Sequence, residues 1–144
     1  MEHHVSTTLF AAGGMTTLPP AAYQPGVCNI GPAEIRRRRM AGHVGAAAAL
    51  VLLAVLIAIG APAWTRLAVI LPVAVSASGY LQARMKFCAG FAQRGIFNFG
   101  GSGDAVVVQD AEARRLDLRR ARQISLSSFA IGLAVGVVAV LLPI

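Results

Sequence analysis

The chain has 144 residues, 56% of them apolar or aromatic and only 13% charged, with a formal net charge of +7. An average soluble domain carries roughly 25% charged residues, so this balance points to lipid, with length for about three or four membrane spans. The basic residues flank apolar stretches and form no stripe interleaved with aromatics, which argues against nucleic acid as the partner.

Residues 1–30 contain Gly, Pro, Ala, Thr and His without helical or strand periodicity, and read as a mobile N-terminal tail. No basic region leads directly into an early apolar core, so a signal peptide is not expected. The His3–His4 pair has no further ligand nearby in sequence and reads as tail composition.

A helix start follows at Gly31-Pro32-Ala33-Glu34. Gly31 suits the N-cap, Pro32 the first helical position, and Glu34 faces the positive helix end. Nothing interrupts the helix before Gly60-Ala61-Pro62, and 42–60 carries no residue charged at neutral pH. At 1.5 Å per residue, about 19 residues cross the ~30 Å hydrocarbon core. The small-residue run before Trp64 resembles a cleavage site, but the region ahead of it is too long and a second span follows at once.

The return helix, with its span at about 64–83, is expected to run through Arg94 and stop at Gly95. Thr65 can cap it, and Pro72 is expected to kink it mid-span. Trp64 and Arg66 mark one interface and Tyr80 the other. Residues 31–95 therefore form a transmembrane hairpin with extensions at the basic end. A flexible glycine-rich loop is expected over 96–109, since Gly-Gly-Ser-Gly lacks the spacing and lysine of a phosphate-binding loop. From 110 a basic helix with i,i+3 and i,i+4 ion pairs runs into a third span at about 124–144. The fold class is all-α membrane protein with three transmembrane helices.

Twelve of the thirteen Lys and Arg residues lie before the first span or between the second and third; Arg66 alone lies on the other side. That asymmetry puts the N-terminus in the cytoplasm and the C-terminus outside. Both cysteines, Cys28 and Cys88, then face a compartment that keeps thiols reduced, and two are too few for a disulfide-built fold.

Arg36, Arg37, Arg38 and Arg39 occupy successive positions, so on a helix they surround it. With Arg84, Lys86 and Arg94 they read as interface anchors for anionic headgroups, worth roughly 1 kcal/mol per residue near the surface. If the hairpin is centred near Pro62–Ala63, residues whose numbers sum to about 126 share a level. Glu34 then falls opposite Ala92 and is expected to make an interfacial ion pair with Arg94. Arg38 falls opposite Cys88 and His43 opposite Ala83. The same register puts Cys28 about 15 Å along the axis from Cys88, with His43 another 7 Å or so deeper. The rival reading is a haem or thiol-ligated metal site, or a redox-active thiol pair, using Cys28, Cys88 and possibly His43; without CxxC or CxxCH, no metal or cofactor is expected.

Phe87 and Phe91 share a helix face within an aromatic-rich stretch that reads as an interfacial floor. The spans hold no acidic or basic residue away from their ends, which argues against an ion-coupled transporter, and no catalytic constellation is visible. Ser128, Gly132 and Gly136 recur every four residues on the third span as a face for close helix packing.

The segments "CNIGPAEIRRRR" and "GYLQARMKFCAGFAQRGIFNFG" occur together and resemble a family of small uncharacterised bacterial inner-membrane proteins over about residues 28–101. The resemblance implies a bacterial inner membrane and no particular activity. The sequence thus reads as a non-enzymatic integral membrane protein, an accessory or scaffold part of a larger membrane complex or a homo-oligomer.

Overall fold

The structure is a computed structural model that describes residues 22–101 and 104–143. The His3–His4 pair and the first 21 residues of the expected tail lie outside the described residues. The elements in order are α1 (Pro32–Ala58), a 3-10 helix (Ala63–Val69), α2 (Ile70–Met85), α3 (Ala89–Arg94), β1 (Ile96–Phe97), β2 (Val106–Val107) and α4 (Ala111–Leu141). Among the described residues, three stretches are long and apolar enough to cross a membrane: Pro32–Ala58, Ala63–Met85 and Ala111–Leu141.

The helix ends follow from local chemistry. Pro32 sits in the first turn of α1 behind extended Gly31, and Gly60 turns the chain with a φ of 62°. Asp110 caps α4, its Oδ2 accepting from the Ala113 amide at 2.8 Å. Pro72 lies near the middle of the continuous Ala63–Met85 stretch, as expected, in the first α-helical turn after the 3-10 segment. The Thr65 hydroxyl donates back to the Pro62 carbonyl at 2.7 Å, so it braces the preceding turn and caps no helix.

The hairpin register also differs from expectation. Gly79 lies against Gly42, Gly45 against Ser76, and His43 bonds Tyr80, so facing residues sum to about 121–123 and not 126. The 3-10 segment accounts for part of the shift. It rises about 2.0 Å per residue against 1.5 Å, so seven residues gain ~3.5 Å and the return limb reaches each level sooner. The turn itself, centred closer to Gly60, supplies the rest.

α2 is the central helix, with α1 and α4 packed on different faces of it. A Cβ built on Gly79 would lie 2.5 Å from the Gly42 amide nitrogen, and one on Gly45 2.6 Å from that of Ser76. On another face, a Cβ on Gly132 would lie 2.7 Å from the Ile70 carbonyl oxygen, and one on Gly136 would overlap the Ile70 side chain. Backbones approach this closely only where side chains are absent, which in lipid supplies much of the association energy. The buried face of α4 runs Ala113, Asp117, Ala121, Ile124, Ser128, Gly132, Gly136 and Ala139.

At the basic end the expected continuous helix through Arg94 is broken. Lys86 turns left-handed at φ 53°, Cys88 caps α3 by accepting from the Phe91 amide, and Gly95 ends α3 at φ 67°. The break seats Phe87, fully buried, among Ala89, Ala92, Ala121 and Ile124. The loop expected over 96–109 contains paired strands: Ile96 faces Val107 and Phe97 faces Val106, antiparallel. The tail reading is also too long, because residues 22–30 form a turn and run into the structure as a fixed strap.

Candidate functional site

The strap and the α2–α3 break interlock. The Asn29 amide N–H donates to the Lys86 carbonyl, while its side chain donates to the Cys88 carbonyl at 3.1 Å and accepts from the Cys88 amide at 2.6 Å. Gln82 accepts from the Ala89 amide at 3.0 Å, so the groups freed by the break find partners. On the strap's other edge, Asn98 donates its amide N–H to the Asn29 carbonyl and accepts from the Gly31 amide. Gly31 has to be glycine here, since a Cβ would lie 2.7 Å from the Phe99 carbonyl oxygen.

A second clasp ties the strap to α4. Asp117, fully buried, accepts from the Tyr23 hydroxyl at 2.8 Å and the Gly26 amide at 2.7 Å. Tyr23 stacks on Phe97 with ring centroids 4.5 Å apart. Burial, and then the bonded Asp117 carboxylate, hold the Tyr23 hydroxyl well above the usual tyrosine range.

Glu34 is buried and pairs with its own helix, with Arg37 at 3.0 Å and Arg38 at 3.4 Å, in place of the expected surface pair with Arg94. The four arginines are not equivalent around the helix. Arg38 turns inward and lies 5.8 Å from the Phe91 ring centroid, whereas Arg36, Arg37 and Arg39 are exposed. Arg84, Lys86 and Arg94 are exposed, as are Trp64 and Tyr80. Arg66 is not a snorkelling interface cation. It is 5% exposed, and its guanidinium donates to the Ala139 and Leu142 carbonyls at the end of α4.

The rival ligand set is not brought together. Cys88 is buried and Cys28 partly so, both as free thiols, and Cys28 lies beside the Asn29 that grips Cys88. Their segments run side by side, so the expected ~15 Å axial gap does not hold. His43 is exposed further along α1, with Nδ1 2.6 Å from the Tyr80 hydroxyl. Among the described residues no three His, Cys, Asp or Glu side chains could hold a metal together. Ser128, Gly132 and Gly136 are buried facing α2.

Asn29, Gln82, Asn98, Asp117 and Tyr23 were not singled out in the sequence, because lone polar residues in a loop or helix carry no spacing signal. Gly42, Gly45, Ser76 and Gly79 do carry one, small residues three apart on each limb of the hairpin. Compared with protein-family models, curated proteins and solved structures, the chain matches none.

Proposed function

We propose that this chain is a non-enzymatic accessory or scaffold component of a larger membrane assembly, or of a homo-oligomer. Its basic end faces the cytoplasm of a bacterial inner membrane. The observation that carries this reading is how the buried polar side chains at the basic end are used. Asn29, Gln82 and Asn98 bond to backbone, and Asp117 to Tyr23 and the Gly26 amide, so these groups hold a shape and leave no converging set for a substrate. What faces outward is apolar helix surface, including Val44, Leu50, Val51 and Val55 of α1, under a rim of arginines. Such a surface suits lipid and neighbouring helices. The two segments with the inner-membrane resemblance are the ones that interlock through Asn29, Cys88 and Asn98, which supports reading them as one unit.

The test is the mass of the full chain extracted in mild detergent after crosslinking in the membrane. A stoichiometric species heavier than one 14.9 kDa chain is expected. A chain recovered only as a monomer, crosslinked to nothing, would overturn the proposal.

A further inference from the structure

An apolar groove of about 300 Å³ opens toward lipid between α1 and α4, over α2. Ala46, Leu50 and Leu53 of α1, Val73 of α2 and Val135 of α4 line it. Ser76 also reaches it, but the Ser76 hydroxyl already donates to the Gly42 carbonyl at 2.9 Å, leaving the lining hydrocarbon in character. A single hydrocarbon chain can enter.

Helix periodicity extends this stripe toward the basic end. Arg39 precedes Ala46 by seven residues and His43 precedes Leu50 by seven; Tyr80 follows Val73 by seven and Arg84 by eleven. Each interval returns to the same face within about 20°. The order along the axis is therefore exposed cations at Arg39 and Arg84, then the hydrogen-bonded His43–Tyr80 pair, then the groove. Arg39 stands about 10 Å above Ala46, somewhat more than the ~5–7 Å headgroup layer on each side of the core, so the groove opens just inside the hydrocarbon.

We infer that this stripe is a binding site for one anionic glycerophospholipid. Its phosphate lies among Arg39 and Arg84, its glycerol and ester region at His43–Tyr80, and one acyl chain in the groove. The three zones of the site match the three zones of the lipid in order and in spacing. The inference rests on the membrane-spanning helices and stands apart from the scaffold reading.

The test uses full-length protein in mild detergent, given phosphatidylglycerol or phosphatidylcholine with identical acyl chains, with retained lipid counted by native mass spectrometry. One phosphatidylglycerol per chain is expected, favoured over phosphatidylcholine by up to about thirtyfold from two cations. The double variant R39Q/R84Q should remove the preference while leaving phosphatidylcholine retention unchanged. Ala46→Phe should lower retention of both lipids. Because the two arginines are exposed, the double variant decides the matter even if Ala46→Phe fails to fold. Equal retention of the two lipids by the parent, or an undiminished preference in the double variant, would overturn the inference, as would parent-like binding by a folded Ala46→Phe.

Discussion

The Asn29 side chain and the Cys88 backbone bond in both directions, donating at 3.1 Å and accepting at 2.6 Å, with Asn29 fully buried. One primary amide thereby stands in for a missing strand neighbour at the point where α2 breaks. Asn29→Ala leaves the buried Cys88 N–H without an acceptor, costing about 1–3 kcal/mol, while the Cys88 carbonyl keeps the Ala92 amide as its donor. We expect thermal unfolding in detergent to fall by several degrees, with early protease cleavage between residues 22 and 31. An unchanged melting curve would mean that the strap contributes no stability.

The spans were legible because bilayer thickness imposes a length and an apolar content that any reader of the sequence can measure. The third-span stripe was legible as a packing face for a similar reason, although its partner was not. The break at Lys86 was hidden, since residues 80–94 contain no Pro and what favours leaving the helix there is bonding from the Asn29 and Gln82 side chains and the burial of Phe87, none of which has a spacing signal. Arg66 misled for the opposite reason. Position alone makes it an interfacial anchor, and only the arrival of the α4 carboxyl end beside it turns it into a cap.

Glu34 is the clearest case in which burial changes an expected magnitude. As an exposed ion pair it would be worth ~0–1 kcal/mol, but at 4% exposure its removal leaves Arg38 without its buried counter-charge. Glu34→Gln should therefore lower the unfolding temperature measurably, and Arg37→Gln, at the exposed partner, should lower it less. Equal small effects would argue for a solvated pair.

Close helix approach predicts a contrast among glycines. Gly79→Ala would press a methyl group onto the Gly42 backbone, an overpacking that costs about 1–3 kcal/mol. Gly90→Ala meets only the Cys88 sulfur at 3.8 Å and should be neutral or stabilising by about 0.5–1 kcal/mol. Gly132→Leu should separate α4 from α2, which a cysteine pair introduced at Ala74 and Ser128 would report as lost crosslinking. Comparable melting curves for the Gly79 and Gly90 variants would mean that α1 and α2 can part without cost.

Orientation is tested by reporter fusions. With twelve of thirteen basic residues at one end, a periplasm-active reporter should work when fused at the C-terminus and fail when inserted after Gly101. The reverse pattern would invert the proposed topology.

The clasp between Tyr23 and Asp117 should give the strap an alkaline limit. The folded state holds the Tyr23 hydroxyl protonated, raising its pKa above the unfolded value of 10.0, chiefly through burial and then through the adjacent carboxylate. A group with a raised folded pKa contributes stability that is fully present below its unfolded pKa. That contribution declines as pH rises beyond about 10, because the unfolded strap then gains from ionisation while the folded strap does not. Hydrogen exchange at the Gly26 amide, which the Asp117 carboxylate holds, is the readout. Protection should fall above pH 10, beyond the intrinsic acceleration of exchange by base, in the parent chain. Tyr23→Phe keeps the ring that stacks on Phe97 but has no proton to lose, so its lower protection should show no such excess dependence. The same excess fall in both proteins would place the titrating group elsewhere.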